Sequence, residues 1–128
     1  GKDIALLSMG GITQEVLNAA DILSEVANIS VSVYGFAMIK PMDPNAITNI
    51  FKRYSTIVTI EEHVLSGGFG SSILECASIQ HLLKNKNFCS IGIDNIFSEN
   101  IGNQNYLRKL HLIDSQSIYN KVIQLISE

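Results

Sequence analysis

Short apolar runs alternate along this chain with longer stretches whose apolar residues recur at helical spacing, and that alternation constrains the fold more than any other feature. Asp3–Ser8 (DIALLS) precedes Gly10-Gly11 and reads as a buried strand. Thr13 then caps a helix reaching about Ala27, with Val16, Leu17, Ala20, Leu23 and Ala27 on one face and Glu15 in the positive first turn. Ile29–Phe36 (ISVSVYGF) alternates and is rich in β-branched and aromatic residues, a second strand; Lys40-Pro41 ends the extended segment. Asp43-Pro44 is a helix start, because Asp accepts from free backbone N–H groups and Pro loses nothing at the first helical position. That helix runs to about Tyr54, with Ile47, Ile50 and Phe51 inward. Ser55–Glu62 is a third strand. Ser71 to about Asn85 is a third helix, with Ile73, Leu74, Ala77 and Leu82 or Leu83 inward. Asn87–Asp94 (NFCSIGID) is a fourth strand, and Asn95–Asn105 a polar loop. Tyr106–His111 reads as a short helix, and Asp114 or Ser115 caps a last helix carrying Ile118, Val122, Leu125 and Ile126.

The order β-α-β-α-β-α-β-loop-α-α predicts a single α/β domain over residues 1–128, with a largely parallel sheet covered on both faces. The chain is 46% hydrophobic but only 16% charged, against about 25% in an average domain. A surface so poor in charge suits a piece of a larger assembly. With a net charge of −3 and no basic run, nucleic acid is not an expected partner. Lys52-Arg53 and Arg108-Lys109 read as solvated helix faces. No apolar stretch approaches the ~18 residues of a membrane span, and residues 1–15 carry no signal-peptide pattern, so the expected setting is cytoplasmic. The abrupt start on a strand suggests a piece cut from a longer protein. Cys76 and Cys89 form neither a CxxC motif nor a zinc spacing and read as small buried hydrophobes.

The stretch richest in chemical groups is Glu61–Glu75 (EEHVLSGGFGSSILE). It is not a P-loop, because no Gly-Lys-Ser/Thr follows the glycines. Gly68-Phe69-Gly70-Ser71-Ser72-Ile73 lacks the third glycine of the dinucleotide fingerprint and follows the third strand rather than the first. Two readings of the turn remain. Glycines before a helix expose N–H groups at its positive end, and Ser71 and Ser72 add hydroxyls, which would hold a small anion. Alternatively, the glycines let the third helix pack closely on the sheet or on a neighbour. The upstream carboxylates Glu61 and Glu62 would repel an anion and favour the second reading. His63 with Glu62 could act as a general acid or base. No G-x-S-x-G elbow supplies a nucleophile, and His81 and His111 stand without a partner pattern, so no catalytic or metal-binding residue is assigned.

Four segments in order resemble the C-terminal domain of transketolase-like thiamine diphosphate enzymes. That group comprises transketolase, 1-deoxy-D-xylulose-5-phosphate synthase and the β subunits of 2-oxoacid dehydrogenases. The segments are GKDIALLSMGGITQEVLNAADILSE, then VSVYGFAMIKPMD with its K-P-x-D at Lys40, Pro41 and Asp43, then IVTIEEHVLSGGFGSSILE, then IGIDNIFSENIGNQNYLRKLHLIDSQSIYNKVIQLI. EEH resembles the split or short transketolases. The glycine turn and the Asp94…Phe97…Glu99…Gly102 pattern resemble either those or the xylulose-phosphate synthases. The resemblance implies a three-layer α/β/α domain whose mostly parallel five-stranded sheet has one antiparallel edge strand. The fifth strand would lie in Ala37–Ile39 or in the 95–105 loop. It further implies that other domains, on the same or a separate chain, hold thiamine diphosphate and Mg²⁺, that this chain binds neither, and that the assembly is a homodimer. The implied role is an assembly domain of an enzyme moving two-carbon units between sugar phosphates. The rivals are the corresponding domain of a xylulose-phosphate synthase, a small-anion-sensing module, and an independent enzyme using Glu62 and His63. On the assembly reading, Glu62, His63, Gly67, Gly68, Gly70 and Ser71 form an interface or anion-contact turn, with Gly68 or Gly70 as the point of closest approach to a partner domain.

Overall fold

A computed structural model describes residues 1–37, 42–93 and 103–128. The strands are β1 (Ile4–Met9), β2 (Val31–Phe36), β3 (Thr56–Val64) and β4 (Asn87–Ile93). The helices are α1 (Thr13–Ala27), α2 (Pro44–Arg53), α3 (Phe69–Ile79), α4 (Gln104–Leu110) and α5 (Ser115–Ser127), with a 3₁₀ turn at Gly10–Ile12. The sheet runs β2-β1-β3-β4, and every pairing is parallel. Strands joined through helices re-enter the sheet from the same end, which makes neighbours parallel. The α/β architecture is thus as expected, but the five-stranded mixed sheet is not. Among the described residues the sheet has four strands and no antiparallel edge. Ala37 is in a bend, and Asn103 caps α4. Met38, Ile39, Lys40-Pro41 and the whole Asp94…Gly102 pattern lie outside the described residues.

Period-two alternation sorts the sheet into two cores. Ile4, Leu6, Val58, Ile60 and Ile91 face α1 and α5, meeting Val16, Ala19, Leu23, Ile118 and Val122. Ala5, Leu7 and Ile57 face α2 and α3, meeting Ile47, Phe51, Phe69 and Ile73. A sheet buried on both faces needs the near-continuous apolar strands that DIALLS and TIVTI supply.

Some helix faces are rotated from the expected ones. Leu17 is 43% and Leu74 is 40% exposed, while Ala19 is fully buried. At ~100° per residue each leucine sits a quarter-turn from the buried axis through Val16 and Leu23, or through Ile73 and Ala77. Ile126 is displaced to the flank of α5 in the same way. Asp43 does cap α2, accepting from the Asn45 N–H at 2.9 Å with Pro44 at the first position. Thr13 does not cap α1; its hydroxyl donates to the Gly10 carbonyl at 2.9 Å and lies 2.8 Å from the Ser8 hydroxyl. α3 starts two residues earlier and ends sooner than the helical spacing suggests, at Phe69 and Ile79.

Phe51 is fully buried and stacks on Phe88 of β4 with ring centroids 6.2 Å apart. Phe51→Ala leaves a void between α2 and the sheet and is expected to lower stability by roughly 3–5 kcal/mol, read from the midpoint of urea unfolding.

Candidate functional site

In parallel α/β sheets the carboxyl ends of the strands are the usual place for chemistry, and here that edge carries Glu61, Glu62 and His63. The β3–β4 register slips there: Ile60 pairs Ile91, but Val64 pairs Ile93. The extra residues of β3 bulge over Gly92, where a Cβ would lie 2.9 Å from the His63 carbonyl and 3.1 Å from Glu61 Cγ. β3 extends past Glu62, so His63 lies within the strand rather than after it.

The two glutamates leave the strand on opposite faces. Glu61 is 2% exposed and turns toward α3. Its carboxylate accepts from the Phe69 N–H at 3.0 Å and the Gly70 N–H at 2.7 Å. These are free donors of the first helical turn, and a buried anion there satisfies them and the helix dipole together. α3 therefore begins at Phe69, because Glu61 caps it from eight residues upstream.

Glu62 turns toward the other layer. It accepts from Arg108 Nη2 at 3.0 Å, from Arg108 Nε at 3.1 Å and from Gln104 Nε2 at 2.9 Å. Arg108 is only 7% exposed, and its Nη1 also lies 3.8 Å from Glu15 of α1. Glu15 in turn accepts from the Ser115 N–H at 2.8 Å, which caps α5. The expected solvated face at Arg108-Lys109 is thus corrected: Arg108 is a buried cation between two carboxylates. Its spacing gave no sign of this, since both partners lie far away in sequence. A cavity of about 400 Å³ beside this group is walled by Ile93, Leu107, His111 and Ile113.

The predicted turn residues do not converge on one point. His63 is 63% exposed on its side chain, and its Nδ1 lies 3.9 Å from Glu61, not Glu62. Alternation along the strand separates it from Glu62, so the proposed acid–base pair does not form. Ser71 donates to the Leu65 carbonyl at 2.8 Å and Ser72 to the Gly68 carbonyl at 3.1 Å. Both hydroxyls are engaged within the turn, and the helix end that would take an anion already holds Glu61. Gly67 is exposed with φ +69°, a left-handed position that favours glycine. Gly68 and Gly70 are buried. A Cβ on Gly70 would fall 2.4 Å from the Ser90 hydroxyl and 2.6 Å from that of Thr59. The close approach at Gly70 is therefore made to the chain's own sheet.

The sequence model of the family described as "Transketolase, C-terminal domain" matches residues 1–118. The chain belongs to that family. It is 31% identical over its whole length to a 1-deoxy-D-xylulose-5-phosphate synthase of Halothermothrix orenii, and 33% identical over 92% of its length to that of Aquifex aeolicus. The chain spans about a fifth of the length of these curated relatives, 20% and 18%. Among solved structures, one described as "Split gene transketolase, inactive beta4 tetramer" superposes with a TM-score of 0.84 at 25% identity, covering 99% of this chain and 40% of that one.

Among the described residues no three His, Cys, Asp or Glu side chains are grouped to hold a metal ion, and the glycine-flanked helix end is filled by Glu61. Cys76 and Cys89 are free. Burial pushes the Cys76 thiol up, with Asp43 adding to it; burial likewise raises Cys89. Among the described residues no helix is long and apolar enough to cross a membrane.

Glu61→Ala leaves two buried N–H groups without an acceptor and is expected to cost roughly 2–4 kcal/mol. Glu61→Gln, which keeps a carbonyl acceptor, should cost less in the same urea titration. Gly70→Ala is expected to lower stability by about 1–3 kcal/mol through overpacking, and Ser90→Gly in the same chain should restore part of it.

Proposed function

We propose that this chain is an assembly domain, the C-terminal portion of a thiamine diphosphate-dependent transketolase-like enzyme whose chemistry is carried by other domains. The single observation that carries this reading is at the carboxyl edge. Among the described residues, the two carboxylates at the end of β3 are already engaged within the chain, Glu61 on the first turn of α3 and Glu62 on the buried Arg108. Family membership and the short span of the relatives support a domain working inside a larger protein. Thiamine diphosphate and Mg²⁺ belong, on this reading, to the remainder of the enzyme, and a homodimer to the assembled molecule. The exposed rim at Gly67 and Ser71, with Gly68 and Gly70 buried behind it, faces a partner domain on this reading rather than holding a ligand.

Two parent reactions are open to such a domain. Two-carbon transfer between sugar phosphates fits the split-gene transketolase likeness. A 1-deoxy-D-xylulose-5-phosphate synthase is favoured by the identity spread over the whole chain in the curated relatives.

Calorimetric titration of the 128-residue chain with thiamine diphosphate and Mg²⁺ is expected to give no binding heat; micromolar binding would overturn the assembly reading. Formation of 1-deoxy-D-xylulose 5-phosphate by the full-length enzyme would select the synthase, and its absence alongside ketol transfer would select transketolase.

A further inference from the structure

α4 differs from the other helices in what anchors it. α1 buries Val16, Ala19 and Leu23; α2 buries Ile47, Ile50 and Phe51; α3 and α5 bury apolar residues likewise. The only buried residue of α4 is Arg108. Of its apolar side chains, Tyr106 and Leu110 are 51% and 43% exposed and Leu107 is half-buried. At seven residues the helix spans less than two turns, too short to persist unaided. Among the described residues its hydrogen-bonded hold on the sheet is the guanidinium on Glu62, with Gln104 adding a second donor, and the same guanidinium reaches Glu15 of α1.

α4 ends in a left-handed cap at Leu112. Leu112 has φ +58°, a left-handed conformation that a leucine rarely adopts. The next residue, Ile113, is 1% exposed and fixed in the core between β4 and α5. Its N–H donates to the Arg108 carbonyl at 2.9 Å and that of Leu112 to the Lys109 carbonyl at 3.2 Å, so the cap lies directly beside the charged anchor.

We infer that α4 is a strap clasped by charge, which opens as a unit about Leu112 while the sheet and the apolar-anchored helices stay folded, with Glu62 as the clasp. Proteins open in cooperative pieces, and a piece secured by one polar cluster opens before pieces secured by apolar cores. Opening parts the cavity's α4 wall, Gln104, Leu107 and Arg108, from Ile93 and bares the carboxylate of Glu62 at the end of β3.

Native-state hydrogen exchange of the full chain, followed by NMR through sub-denaturing urea, tests this. The probes are the amides of Leu107 and His111, which donate to Asn103 and Leu107 carbonyls at 3.0 Å, against those of Leu6 and Val58 in the strands. The α4 amides are expected to exchange at least about 100-fold faster and with a shallower urea dependence. Glu62→Gln should speed them about tenfold more. Ile57→Val, a small loss in the opposite layer, should speed Leu6 and Val58 and leave α4 unmoved, because Ile57 stays packed when only the strap opens. Equal rates and equal urea dependence for strap and strands would overturn the proposal, as would an α4 that follows Ile57→Val. The wild-type comparison decides by itself if the Glu62 variant fails to fold.

Discussion

At the end of β3 two neighbouring carboxylates diverge, and the starts of two helices are tied to where they go. Glu61 reaches into one layer and closes the first turn of α3. Glu62 reaches into the other and holds Arg108, whose guanidinium also meets Glu15; Glu15 closes the first turn of α5. The geometry follows from the pleat, since adjacent strand residues face opposite sides. The bulge against Gly92 makes room for it, because a side chain there would press on Glu61 and on the His63 carbonyl. One strand end thus registers helices of both layers against the sheet.

Such buried pairing has an asymmetric energetics. A buried ion pair adds little over an apolar substitute, but removing one partner leaves a charge stranded in low dielectric. Arg108 sits between two carboxylates that it keeps from repelling each other, and each carboxylate has a further donor in Gln104 or the Ser115 N–H. The chain is only 16% charged, yet it places several of those charges in this one network. They serve the arrangement of helix termini more than they serve the surface.

The repeating part of the fold was readable from periodicity. The four strands and the helices following the first three came from alternation and apolar spacing, and Asp43-Pro44 marked its helix start to the residue because capping is local chemistry. What stayed hidden is long-range. No local pattern tells that Glu15 will meet Ser115, or that Arg108 on an apparently polar face will be buried against Glu62, since those partners meet only when the sheet closes. Helix faces drifted for a related reason. With apolar residues on more than one side, as at Leu17 and Ala19, the packing of α1 against α5 selects the buried set, and the smaller residue takes the closest contact. Gly70 was recognised as a point of close approach, but the approach is to Ser90 and Thr59 of the same chain.

The glycine turn before α3 shows how one geometry can serve opposite ends. A strand leading through glycines into a helix presents free N–H groups and a positive dipole, and in many α/β proteins a phosphate takes that position. Here a carboxylate from the preceding strand takes it first, held by two N–H bonds and shielded from water. An external anion would have to displace a tethered one, whose effective concentration at the site is far higher than that of a free ligand. The same glycines then serve packing: Gly67 turns the chain, and Gly70 seats the helix on the sheet. Filling its own anion site, the domain has exchanged a place for ligand chemistry for a fixed helix orientation.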